Sequence, residues 1–162
     1  MKLILGSDKS GFILKEAIRA YLDEENIEYE DVGTQDIDVP KPFFDTAPVA
    51  AKLLQKDPAR KAILICGTGM GMSQVANKFS GVWAACCESV YAAHMCRAVN
   101  NSNALCMGGW VIGPEMGIEM VKTFLNTAHT EGLEEWRQEF LRKAADKVNQ
   151  IDMENRREDK NV

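Results

Sequence analysis

The chain has 162 residues, 46% hydrophobic and 27% charged, with a formal net charge of −5. That length fits one domain, which buries about 70% of its unfolded surface without staples. No apolar run approaches the roughly 18 residues of a membrane span, the short run before Gly6 cannot serve as a secretory signal, and the basic residues are scattered, so membrane and nucleic acid are excluded as partners and a cytoplasmic location is expected.

Lys2 to Gly6 reads as a short strand closed by Gly6, Ser7 and Asp8, and apolar residues from Phe12 to Leu22 recur at helical spacing. Tyr29 to Val32 reads as a second strand, and Thr34 to Phe44, with Pro40 and Pro42, as an irregular loop. A helix is expected from Asp45 to Gln55. Ala62 to Ile65 is a continuous apolar run, followed by Cys66-Gly67-Thr68-Gly69-Met70-Gly71 and a helix through Lys78. Val82 to Cys86 then reads as a strand and Ser89 to Val99 as a helix. Ala104 to Met107 reads as the last strand, ending at Gly108-Gly109, and Pro114 opens a helix that runs to Asn126.

Alternating strands and helices imply parallel strands covered on both faces, so the predicted fold is a Rossmann-like α/β/α sandwich of about five strands. Residues 1–150 form its single domain. The last helix, Leu133 to Val148, carries an apolar stripe suited to packing on its own domain or on a second subunit. Residues 151–162 are charged and expected to fray.

In open α/β sheets ligands collect outside the carboxyl ends of the strands, so the residues following each strand are the candidate site. The Cys66–Ser73 stretch is the most informative of these, because its glycines let backbone N–H groups approach an anion. It is no Walker loop, since no Lys-Ser/Thr pair follows the last glycine. It is also a poor dinucleotide fingerprint, with GxGxG spacing after the third strand. Alone, such a segment is a tight strand-to-helix turn. Cys66 adds chemistry, because a thiol beside a helix N-terminus ionises more readily than a free one and serves as nucleophile or base. The five cysteines show no metal-ligand or disulfide spacing, and Cys86, Cys96 and Cys106 read as inert core.

Three groups of residues occur in a telling order. Asp8-Lys9-Ser10-Gly11-Phe12 comes first, then Cys66-Gly67-Thr68-Gly69-Met70-Gly71-Met72-Ser73 with Ala76-Asn77-Lys78, then Arg97, Asn100-Asn101 and Gly108-Gly109. This resembles the ribose-5-phosphate isomerase B and galactose-6-phosphate isomerase family from Lys2 to about Leu125. The resemblance implies a homodimer or dimer of dimers with sites at the subunit interface, a small phosphorylated sugar as substrate, and aldose–ketose isomerisation through an enediolate with no cofactor or metal. It makes Cys66 the base that moves the proton between C1 and C2. A glutamate used by other members would fall at Met72, which leaves Cys66. Gly67, Thr68, Gly69 and Gly71 would then supply donors to the enediolate oxygens. Asp8 would hold sugar hydroxyls, Ser73 would reach the site, Asn77 would brace the loop, and Asn100 would contact substrate, from the partner subunit if the site is shared.

The departures carry information too. Lys9 stands where the family usually has histidine and keeps a cation for phosphate. Val99 takes the place of the histidine that opens the sugar ring, and Trp110 the place of a frequent arginine. Arg137, Arg142 and Lys143 on the last helix are candidate replacements. His94 does not share the face of Val99, at 100° per residue. A tetrose 4-phosphate cannot close a furanose, so loss of the ring-opening acid costs nothing for a four-carbon substrate. The expected substrate is therefore a tetrose or tetrulose 4-phosphate, or ribose 5-phosphate with another group opening the ring. A non-catalytic sugar-phosphate-binding subunit is the alternative. A receiver-like module would leave the glycine loop unexplained.

Overall fold

The computed structural model describes residues 2–158, with side chains through Arg156. Five strands, β1 (Leu3–Ser7), β2 (Tyr29–Asp31), β3 (Ala62–Cys66), β4 (Ala84–Cys86) and β5 (Ala104–Gly108), alternate with helices α1 (Phe12–Glu24), α2 (Phe43–Lys56), α3 (Met70–Ala76), α4 (Val90–Ala98) and α5 (Pro114–Asn126). A last helix, α6 (Glu135–Glu158), follows. The sheet is all parallel in the order β2-β1-β3-β5-β4, with Leu5 opposite Ile63 and Cys66 opposite Gly108.

β1, β3 and β5 are buried along their whole length, which is why they read as unbroken apolar runs rather than alternating ones. Their side chains nevertheless divide by parity. Leu3, Leu5, Ile63, Ile65, Leu105 and Met107 face one layer with Leu14, Ile18 and Leu22 of α1 and Met120, Val121 and Phe124 of α5. Ile4, Leu64 and Cys106 face the other, where Ala47, Ala50, Ala51 and Leu54 of α2 and Met72 and Ala76 of α3 cover them.

This division fixes where a ligand can sit. α1 leaves β1 toward the first layer, whereas α3 leaves the neighbouring strand β3 toward the second. The two connections diverge and open a crevice above the carboxyl ends of β1 and β3. Asp8 and Cys66 stand on its two sides.

β4 starts at Ala84 rather than Val82 and α3 ends at Ala76 rather than Lys78, and two further differences bear on the site and the C-terminus. α2 starts at Phe43 with Pro42 as its N-cap, so the last two residues of the expected loop are helical. α6 continues past Val148 to Glu158, because residues that look like a charged tail by composition have partners. The Ser80 hydroxyl donates to Asp152 at 2.6 Å, and Arg156 donates to the Lys78 carbonyl at 2.8 Å and to Asp152. Residues 159–162 of the expected tail lie outside the described residues.

Candidate active site

The crevice is built largely by backbone. The Asp8 N–H donates to the Ile65 carbonyl at 3.1 Å, which ties the start of the β1 loop to β3. Gly11 in turn donates its N–H to the Asp8 carboxylate at 3.0 Å. Partial burial raises the Asp8 carboxyl above its ordinary value, against the opposing pull of the Gly11 and Ser10 N–H groups. The carboxyl is thus both fixed in place and closer to exchanging protons than a surface aspartate.

Cys66 ends β3 and is buried, 5% exposed. The chain turns back on it through Gly69, whose φ of +78° requires glycine, and the Gly69 N–H donates to the Cys66 sulfur at 3.2 Å. Thr68 is half-buried, and its hydroxyl oxygen accepts from the Met70 N–H at 3.4 Å. The end of β5 clamps the loop from behind: Gly109 donates to the Cys66 carbonyl at 2.8 Å and Trp110 to the Gly67 carbonyl at 3.0 Å. Two aromatic rings close its flanks. The Trp110 ring lies so near Gly67 that a Cβ there would sit 2.8 Å from it, and the Phe43 ring stands in the same relation to Gly71 at 3.0 Å.

Beside Asp8 is a cavity of about 350 Å³, lined by Asp8, Lys9, Pro40, Lys41, Pro42, Phe43 and Phe44. Lys9 is exposed there, as its expected contact with an anion requires. Lys41, Phe43 and Phe44 are functional candidates that sequence reasoning missed, because the segment reads as an irregular loop. A lysine held between two prolines was the available signal.

The remaining expected residues lie elsewhere. The Ser73 hydroxyl donates to the Ala84 carbonyl at 3.2 Å, so it braces β4. Asn77 does the same with its amide, donating to the Ala84 carbonyl at 2.9 Å and accepting from the Ala84 N–H at 2.8 Å. Asn100 and Val99 line a different cavity of about 370 Å³ under α6, with Ala84, Ala85, Leu141 and Ala144. On α6, Arg142 donates to the Thr130 hydroxyl and to Gln138, Lys143 pairs with Glu139 at 2.7 Å, and Arg137 is half-buried. His94 meets the Thr127 hydroxyl. Cys86 corrects an expectation: it is exposed, not core, and its thiol reaches the Thr68 carbonyl at 3.5 Å. It is the last residue of β4, the edge strand of the sheet, and its side chain stays open to solvent although α3 packs against that strand. Cys96 and Cys106 are buried as expected. Among the described residues, no group of three or more His, Cys, Asp or Glu is placed to hold a metal ion.

A cysteine at the head of a glycine-rich turn, with the Gly69 N–H on its sulfur, and the Asp8 carboxylate after the neighbouring strand thus flank the switch point where ligands of α/β sheets collect. A profile of the Ribose/Galactose Isomerase family matches residues 3–141, and the chain belongs to that family of sugar isomerases. It is 59% identical over 152 residues to a 4-deoxy-4-sulfo-D-erythrose isomerase of Clostridium sp. (strain MSTE9), covering 94% of this chain and 96% of that one. It is 37% identical over 127 residues to D-erythrulose-4-phosphate isomerase 2 of Mycolicibacterium smegmatis, covering 77% and 84%. Its fold matches ribose-5-phosphate isomerase B of Mycoplasma genitalium with bound ribulose 5-phosphate at a TM-score of 0.84, with 29% identity and coverage of 94% and 97%.

Proposed function

We propose that the chain interconverts a four-carbon aldose carrying an anionic group on C4 with its 2-ketose, and that a 4-sulfonate, as in 4-deoxy-4-sulfo-D-erythrose, is the preferred anion. Cys66 takes the proton from C2 of the aldose and returns it to C1. The N–H groups of Gly67 and Gly71 and the Thr68 hydroxyl receive the negative charge that gathers on O1 and O2, while the Gly69 N–H steadies the Cys66 sulfur. Asp8 passes the hydroxyl proton between those oxygens.

The observation that carries the substrate reading is an intact proton-transfer loop combined with the apolar Val99. A tetrose whose C4 bears sulfur or phosphate has no hydroxyl with which to close a furanose, so no acid is needed to open a ring. The charge balance points the same way. A phosphate monoester carries about −1.5 to −2 at pH 7 and a sulfonate −1. Replacing a cation by Trp110 removes positive charge that the dianion needs more than the monoanion does. The 59% identity to the clostridial 4-deoxy-4-sulfo-D-erythrose isomerase supports the choice.

Asn100 opens onto the cavity under α6 and shares no lining residue with the one beside Asp8. In this reading it serves a substrate held on a second copy, with Arg137, Arg142 and Lys143 at the same boundary.

The test is kcat/KM for 4-deoxy-4-sulfo-D-erythrose, erythrose 4-phosphate and ribose 5-phosphate on one preparation. The four-carbon sulfonate should lead ribose 5-phosphate by at least about tenfold, a difference of about 1.4 kcal/mol in transition-state binding. A tenfold lead for ribose 5-phosphate overturns the substrate assignment, and no turnover of any sugar makes the chain a binding subunit.

A further inference from the structure

Lys41 is held with unusual care for a surface lysine. Pro40 and Pro42 restrict the backbone on both sides of it. Its N–H donates to the Thr34 hydroxyl oxygen at 3.1 Å, and its carbonyl accepts from that same buried hydroxyl at 3.3 Å. Its ammonium donates to the Val32 carbonyl at 3.2 Å. The exit of β2 thus fixes this residue at backbone and at head group.

The fixed ammonium has no carboxylate within ion-pair distance among the described residues, where the ion-paired cations are Lys15, Arg19, Arg60, Lys122, Lys143 and Arg156. One of its three N–H donors is committed to Val32, which leaves two. It lines the same cavity as Lys9 and Asp8. Two lysines against the one carboxylate of Asp8 leave the cavity lining with net positive charge, which favours an anion. Asp8 and Phe43 both join the cavity to the Cys66–Gly71 loop, through the Asp8 N–H on the Ile65 carbonyl and the Phe43 ring against Gly71, so a sugar with its hydroxyls on Asp8 turns a charged terminus toward the lysines.

We infer that Lys41, together with Lys9, seats the tetrahedral oxyanion at the end of the substrate, and that Lys41 is the residue that selects charged over neutral sugars. This rests on the proposed function in taking the anion to be part of a sugar. A lysine serves as a point charge with rotatable donors, which suits a sulfonate or a phosphate without demanding the paired geometry of arginine. Charge-assisted hydrogen bonds of this type change affinity by roughly ten- to hundredfold.

The experiment compares 4-deoxy-4-sulfo-D-erythrose with 4-deoxy-D-erythrose, a neutral sugar that is equally unable to close a furanose. The ratio of kcat/KM, charged over neutral, should fall at least about tenfold in Lys41→Gln, through KM, and stay within about threefold of wild type in Lys41→Arg. An unchanged ratio, or an equal loss on both sugars, overturns the inference. If the wild type turns over neither sugar, the proposed function has failed and the seat is judged by calorimetric titration with ethanesulfonate and with inorganic phosphate. Binding to wild type that Lys41→Gln loses supports the seat. Binding that is absent, or equal in both proteins, removes it.

Discussion

The proposed reaction concentrates its chemistry in the one sulfur of Cys66, which predicts what its removal does. Cys66→Ala should lower kcat by roughly 10³-fold, because proton transfer by a positioned group contributes about 10²–10⁴. Cys66→Ser should be nearly as inactive, since a hydroxyl is a far weaker acid. Neither should move the thermal midpoint by more than a few degrees, and an alanine variant that kept a tenth of wild-type kcat would remove Cys66 from the reaction. His129 offers a second measurement. Burial, with Arg97 beside it, presses its imidazole below the ordinary value of 6.5. As pH falls through 6.5 the unfolded chain takes up a proton that the folded chain resists, so stability declines toward acid. His129→Gln should flatten the fall in urea midpoint between pH 7 and 5.5. Residues of this scale were legible in the sequence only where chemistry dictates a fixed order, as in Asp8 and Cys66–Gly71. Lys41 showed only as a lysine between two prolines, because its fixed position depends on the Thr34 hydroxyl and the Val32 carbonyl, which no local pattern encodes. Cys86 misled because an apolar run does not tell an edge strand from a central one.

The strands and helices were legible because burial on both faces and helical periodicity are local patterns. Their ends were less so. α6 outruns its apolar stripe because Asp152 and Arg156 find partners 70 residues and more away in sequence, and no local pattern encodes that. The turn between β1 and α1 tolerates little change. A Cβ on Gly11 would lie 2.5 Å from the Ile65 carbonyl oxygen, and backbone on both sides cannot yield. Gly11→Ala should cost roughly 2 kcal/mol or more of stability and lower kcat, since it displaces the N–H that fixes Asp8. Gly113→Ala, with open space around the new methyl, should leave the urea midpoint unchanged within error. Equal effects at the two glycines would mean that the turn is looser than its contacts.

At the scale of the whole molecule, Trp136 and Phe140 of α6 are exposed by 70% and 63%, and Asn100 opens under the same helix, away from Cys66. A site completed by a second copy, as proposed above, would account for both. Mixing inactive Cys66→Ala and Asn100→Ala chains, with unfolding and refolding together, should then restore about a quarter of wild-type activity, because half of the pairs are hybrids and each hybrid has one complete site. No recovery would confine the site to a single chain.

The edge of the sheet has a further consequence for the protein in concentrated solution. β4 offers only three residues to the outside, and Asn77 occupies both peptide groups of Ala84 with its own side-chain amide, as a neighbouring strand would. An open edge is a template on which another chain can be added, and here its first rung is already occupied. Asn77→Ala would bare it. The Ala84 amide should then exchange its hydrogen faster by at least an order of magnitude, and the variant should scatter light on storage at concentrations where the parent stays clear.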